Sequence, residues 1–133
     1  MSETSEAPEA EKPPIETKWY EAEQVERTPT HYIIKVLRPY QESQDPVQRA
    51  IDQTEEGCPD EIRIRRKCYG GDLLCLDTLP RDKDGEAMDG KMSRNFQFAE
   101  RLSGVRRSTL ERMDWDDYCF VYQAVEDVTT GKG

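Results

Sequence analysis

The residues with the clearest potential for metal chemistry lie in one acidic loop, Asp82-x-Asp84-Gly85-x-x-x-Asp89-Gly90. Carboxylate oxygens are preferred calcium ligands, and an EF-hand loop also needs a glycine at position six and a glutamate at position twelve. Neither register of this loop supplies both residues. Loops rich in Asp and Gly are common in solvent, so the sequence predicts a solvated connection here.

A second group of carboxylates, Asp114, Asp116 and Asp117, precedes and begins an apolar-periodic stretch. They too have the chemistry of metal ligands. At the start of a helix, however, carboxylates accept from unpaired N–H groups and interact with the positive end of the helix dipole. We therefore expect Asp114 to be the N-cap, with Asp116 and Asp117 in the first turn.

Thiol and imidazole groups do not form a recognisable site. The only histidine is His31, and no C-x-x-C pair provides zinc-site spacing. Ser103-Gly104 is not part of a G-x-S-x-G motif, and Gly70-Gly71 introduces neither a P-loop nor G-x-G-x-x-G. The sequence therefore predicts a non-enzyme with no cofactor and no metal. The cysteines, which we expect to be reduced and buried, are Cys58, Cys68, Cys75 and Cys119.

The composition is that of a small acidic chain with a thin core. Its 133 residues suffice for one domain plus a tail, and hydrophobic and charged residues each make up 35%. The formal net charge of −9 disfavours a nucleic-acid partner, because phosphate contacts supply most sequence-independent affinity. No apolar run approaches the ~20 residues of a membrane helix, and the acidic N-terminus lacks signal-peptide features. We expect no membrane partner and a cytoplasmic location.

Residues 1–30 are rich in Glu, Pro, Ser and Thr, a composition that buries too little apolar surface to offset chain entropy. They are predicted to form a disordered acidic tail. Trp19-Tyr20 is the exception within it. This pair is either an incidental exposed aromatic pair or a short docking motif that folds on a partner.

Two segments have strand character. Residues 31–37 are rich in β-branched residues, and residues 61–67 alternate apolar with basic side chains. We expect them to pair antiparallel. Between them, Asp45 and Pro46 have the types of an N-cap and a first helical residue.

Helical patterns fill the second half of the chain. Asp72 is predicted to cap a short helix that Pro80 ends, and Ser93 to cap a helix that stops at Ser103-Gly104. Ser108-x-x-Glu111 has the form of a capping box that opens a short turn. The fold class expected is α+β: a short antiparallel β-ribbon and three to four packed helices form a domain over residues 31–130.

An aromatic stripe marks the last helical pattern. Trp115, Tyr118 and Tyr122 recur at helical spacing and are predicted to share one face. Such a stripe is either core or an interface. Because the core is thin, we take these three residues as the candidate partner-binding residues.

Basic residues are the remaining candidates for a site. On one face they would bind phosphate or an acidic partner, but no aromatic residues interleave with them in the sequence as base stacking requires. We expect a mixed-charge surface balanced by Asp and Glu. These residues are Arg63, Arg65, Arg66, Lys67, Arg101, Arg106, Arg107 and Arg112.

The order of these signals resembles one family, the small tail assembly chaperones of contractile, Mu-like bacteriophages, over residues 32–128. The signals are a strand ending at Pro39, a basic strand leading into Gly71-Asp72-Leu73, a helix reaching Leu102-Ser103-Gly104, then Leu110, Met113-Asp114 and an aromatic-rich last helix.

The resemblance implies a non-enzymatic chaperone that binds the tape-measure protein and helps recruit tail-tube subunits. It implies many copies bound side by side in the host cytoplasm, and absence from the mature virion. The alternative is a small acidic regulatory protein that inhibits a host nucleic-acid enzyme by binding its basic surface. A mimic of nucleic acid needs its carboxylates in an ordered row, whereas many lie here in the predicted tail.

Overall fold

The structure, a computed structural model, describes residues 18–54 and 57–131 and has an α+β fold. Residues 1–17 of the predicted tail lie outside the described part. In these described residues, three strands and four α-helices are accompanied by two 3-10 segments, Trp19–Glu21 and Gly70–Thr78. The strands are β1 (Val25–Arg27), β2 (His31–Lys35) and β3 (Glu61–Arg65); the α-helices are α1 (Pro46–Asp52), α2 (Lys91–Ser103), α3 (Arg107–Leu110) and α4 (Trp115–Thr129).

The sheet is antiparallel, with strand order β1-β2-β3. The predicted pairing of the two main strands is confirmed, with Tyr32 opposite Ile64 and Ile34 opposite Ile62. All four side chains are fully buried on one face of the sheet. The alternation of apolar and basic residues in β3 therefore matches the burial of its side chains, as expected, since successive strand residues point to opposite faces.

The predicted tail boundary at residue 30 is wrong, because β1 lies within it. Val25 pairs with Ile34 and is only 8% exposed, so the predicted two-stranded ribbon is a three-stranded sheet. Composition averaged over 30 residues hid this short strand. Pairing with β2 and one buried apolar residue, Val25, place this strand in the sheet.

Trp19 and Tyr20 also belong to the folded domain, so they are not an incidental exposed pair. Their ring centroids lie 4.7 and 6.2 Å from that of buried Tyr32. The Trp19 indole N–H donates to Asp127 Oδ2 over 2.7 Å. These contacts tie the start of the described chain to both the sheet and the last helix.

Helix starts follow the sequence where an aspartate caps them. Asp45 accepts from the Val47 N–H, and Asp114 accepts from the Asp116 N–H, as predicted. Ser93 and Ser108 are not caps: α2 begins at Lys91 after Gly90, and α3 begins at Arg107 after Arg106.

Tertiary contacts explain the two wrong serine caps. The Ser93 carbonyl and hydroxyl accept from the Arg107 guanidinium. Glu111, expected to reach back in a capping box, instead accepts from Arg107 Nε over 2.6 Å. Arg107 therefore occupies the oxygen atoms of Ser93 and Glu111 that the two predicted capping motifs required.

Helices α2 and α4 cover the apolar face of the sheet and form the core with it. The helix α2 ends at Gly104, whose φ of +79° is a left-handed C-terminal conformation that favours glycine. Among the described residues, no helix is both long and apolar enough to cross a membrane. The core comprises Val25, Tyr32, Ile34, Ile62, Ile64, Phe98, Ala99, Leu102, Leu110, Met113, Tyr118, Val121, Ala124, Val125 and Val128.

Candidate protein-binding surface

The three predicted contact residues occupy different depths on α4. Trp115 is 56% exposed, Tyr122 is half-buried and Tyr118 is only 2% exposed. Tyr118 belongs to the core, because α2 covers the middle of the stripe. The prediction that Tyr118 contacts a partner is therefore corrected. Trp115 and Tyr122 remain at the surface.

Tyr118 is fixed beneath this surface by a buried polar contact. Its hydroxyl donates to Asn95 Oδ1 over 2.7 Å, and Asn95 Nδ2 donates to the Tyr122 carbonyl over 3.3 Å. Burial raises the pKa of Tyr118 well above its ordinary value, so the hydroxyl stays protonated and remains a donor. This bond holds α4 against α2 and sets the position of the rings above it.

The candidate surface also includes two residues of α2. Phe96 stacks on Tyr118 with a centroid distance of 4.5 Å, and Met92 lies one turn earlier and is 39% exposed. Trp115 lies 6.3 Å from Tyr122 between ring centroids. We call Met92, Phe96, Trp115 and Tyr122 the aromatic surface.

Two cations lie against the aromatic surface. Lys91 Nζ is 5.7 Å from the Tyr122 ring centroid, and Arg107 Cζ is 5.6 Å from that of Phe96. Hydrogen bonding to Tyr122 raises the pKa of Lys91. Both cations already have acidic partners, Glu126 at 3.9 Å from Lys91 and Glu111 at 2.6 Å from Arg107, so the aromatic surface is an apolar patch edged by ion pairs.

A groove of about 360 Å³ lies beside Lys91 and Glu126. Its apolar wall is formed by Leu73, Leu76 and Phe98, and Arg94 stands beside Lys91 on its rim. Leu73 is 55% exposed. Sequence periodicity did not predict this wall, because Gly70–Thr78 is a 3-10 segment that leaves the adjacent Leu73 and Leu74 exposed.

The expected balance of basic by acidic residues is present at several arginines. Asp72, 2% exposed, accepts from Arg65 over 2.9 and 3.0 Å and from Arg101 over 2.8 Å. Hydrogen bonds, first of all from Arg65, hold the pKa of Asp72 well below its usual value. The 3-10 segment begins after Tyr69, so Asp72 lies inside it and is not the N-cap that was predicted. Its carboxylate instead pairs with two arginines.

Other carboxylates are likewise structural. Arg112 donates to Asp52 over 2.6 and 2.8 Å and lowers the pKa of Asp52 to about 2. Asp117 is fully buried and accepts from Gln24 Nε2 and from the backbone and guanidinium of Arg38. Asp117 therefore ties α4 to the sheet instead of serving only the helix start.

The acidic loop is an ordinary hydrogen-bonded turn. Asp82 accepts from the backbone N–H groups of Asp84 and Glu86. Within residues 18–54 and 57–131, no cluster of three or more His, Cys, Asp or Glu side chains has the arrangement to hold a metal ion. The cysteines are unpaired and partly exposed, where burial was expected.

The surface was only partly predictable from the sequence. Trp115 and Tyr122 were identified from their spacing, whereas Met92 and Phe96 were missed as contact residues although they lie four residues apart on α2. That spacing was the available signal. Comparison with known proteins yields no matching family model, no matching curated protein and no matching solved structure.

Proposed function

We propose that this protein is a non-enzymatic assembly chaperone of a contractile-tailed bacteriophage. It binds the tape-measure protein in the host cytoplasm, helps recruit tail-tube subunits and is absent from the mature virion. This proposal takes its biological setting from the sequence resemblance. The aromatic surface supplies the physical support for partner binding.

The main observation that supports partner binding is an exposed aromatic patch on a strongly charged domain. Trp115 leaves more than half of its surface exposed beside Tyr122, although 35% of the chain is charged and well suited to cover a surface. Exposed aromatic clusters with a polar rim are typical of protein interaction sites. Aromatic side chains lose little conformational entropy on binding, so such a patch gives affinity at small cost.

The shape of the patch suits a helical partner. The aromatic surface and the adjoining groove both border the first half of α2, and a helix can place residues at i, i+3, i+4 and i+7 along such a surface. A tape-measure protein is expected to be a long, largely helical chain. Many copies bound along it would make individually weak contacts effective, and the net charge of −9 would keep the assembly dispersed.

The test is co-expression with the tape-measure protein encoded beside this chain, followed by affinity capture and a solubility assay. We expect the long protein to become soluble and to co-purify. The double variant Trp115→Ala/Tyr122→Ala should lose both effects while its circular dichroism and unfolding midpoint stay close to wild type. Leu37→Ala is the control, because Leu37 is 62% exposed and lies outside the aromatic surface.

Two results would contradict the proposal. If the long protein precipitates while this chain stays soluble alone, chaperone function is excluded and the inhibitor of a host nucleic-acid enzyme becomes the better hypothesis. If capture succeeds equally with the double variant, the partner binds elsewhere on the domain.

A further inference from the structure

A second surface of opposite character lies where β2 begins and β3 ends. It is a cleft of about 640 Å³, and the described residues that line it include one imidazole, three cations and no carboxylate. We call this the basic cleft. Its lining residues are Pro29, Thr30, His31, Arg65, Arg66, Lys67 and Tyr69.

Hydrogen bonds hold the two arginines of the basic cleft in place. Arg65 is clamped by Asp72 and donates to the Lys67 carbonyl over 2.7 Å. Arg66 donates to the Thr28 carbonyl. Lys67 is exposed, and its ammonium lies 5.8 Å from the Tyr69 ring centroid; among residues 18–54 and 57–131 no carboxylate pairs with it. A preordered positive site within a chain of net charge −9 requires an explanation.

The N-terminal segment enters the domain next to this cleft. Trp19 and Arg66 contact the same ring, since the Trp19 centroid lies 4.7 Å and Arg66 Cζ 5.2 Å from the centroid of Tyr32. Arg27 Cζ stands 4.4 Å over the neighbouring Tyr20 ring. The chain that precedes Trp19 therefore begins beside two arginines.

That preceding chain is acidic. Residues 1–17 contain five glutamates, at positions 3, 6, 9, 11 and 16, and one lysine, Lys12. Glu16 precedes Lys18 by only two residues, so a short stretch of chain, at about 3.3 Å per extended residue, separates these carboxylates from the described domain. A segment attached this close has an effective concentration of order millimolar, which makes even a weak ionic contact populated.

We propose that the basic cleft is a binding site for an acidic peptide and that its occupant is residues 1–17 of the same molecule. The glutamates pair with Lys67, an exposed cation of the cleft. An external anionic partner must then displace the segment before it reaches these cations. The contact is ionic and exposed, so salt weakens it.

The test uses the full-length protein and its amide resonances in solution. One variant replaces all five N-terminal glutamates with glutamine, and a second is Lys67→Glu. The control is Lys83→Glu, which makes the same charge change on the exposed acidic loop. Spectra are compared at low and high salt and across a tenfold dilution.

We expect glutamine replacement to shift the amide signals of residues 30–31 and 65–69 while core signals stay in place. Lys67→Glu should shift the signals of residues 1–17, whereas Lys83→Glu should not, and high salt should remove the difference. Unchanged cleft signals on glutamine replacement would overturn the proposal. Shifts that vanish on dilution would also overturn it, because the occupant would then be the segment of a second copy.

Discussion

Trp115 and Tyr118 lie one turn apart on α4 with ring centroids 6.3 Å apart, yet Trp115 is 56% exposed and Tyr118 only 2%. The boundary between core and surface therefore passes between two adjacent aromatic residues. Tyr118 contributes to folding, and Trp115 is available for a partner. The two residues should differ sharply in what their removal changes.

Truncation of each ring tests this boundary. Tyr118→Ala should lower the free energy of unfolding by about 3–5 kcal/mol, because a buried aromatic side chain leaves a cavity. Trp115→Ala should cost less than about 1 kcal/mol, since most of its surface is already in water. Urea unfolding followed by circular dichroism measures both. Equal losses would mean that the boundary is misplaced.

The hydroxyl of Tyr118 has a separate role from its ring. Tyr118→Phe should cost about 1–3 kcal/mol, because it leaves the buried Asn95 amide oxygen without its donor. Tyr69→Phe is the control, since its ring is 60% exposed and the loss of its hydroxyl should change the unfolding free energy little. An unaltered midpoint for Tyr118→Phe would show that the bond to Asn95 contributes no net stability.

Asp72 should make stability depend on pH. Its pKa is lowered in the folded protein, so its stabilisation is fully present above the unfolded value of about 3.9 and is lost as pH falls through the folded value. Asp72→Asn should cost about 2 kcal/mol at neutral pH, less than a fully buried pair because Arg65 and Arg101 remain partly hydrated.

The difference between wild type and Asp72→Asn should narrow as pH falls below about 4. Urea midpoints measured in a pH series test this, and the contributions of other carboxylates cancel in the comparison. A difference that stays constant with pH would assign the loss to packing instead of charge.

The N-terminal contacts predict that Trp19 is a stabilising residue. Trp19→Ala should lower the free energy of unfolding by about 2 kcal/mol, because it removes a ring packed on Tyr32 and the donor to Asp127. The matched comparison is Trp115→Ala, which removes the same side chain from an exposed position. If both tryptophan variants unfold at the wild-type midpoint, the chain before β1 does not stabilise the domain.

Short sequence patterns identified the main strands and helices, because strand alternation and helix capping depend on residues close together in the sequence. Alternating apolar and basic residues located β3, and aspartates at helix starts located α1 and α4. The same kind of argument failed for Ser93 and Ser108. Arg107, distant in sequence from Ser93, occupies its oxygen atoms, and a capping motif read alone takes no account of such a competitor.

The sequence by itself determined which residues share a face: Tyr32 with Ile34, Ile62 with Ile64, and Trp115 with Tyr118 and Tyr122. Periodicity carries that information because side-chain direction is fixed by the backbone repeat. The tertiary structure alone decided how deeply each residue is covered. Packing of α2 buries Tyr118 and leaves Trp115 in water, and the fold brings Trp19 to Asp127 across 108 residues. Coverage depends on contacts between segments distant in sequence, which no local repeat encodes.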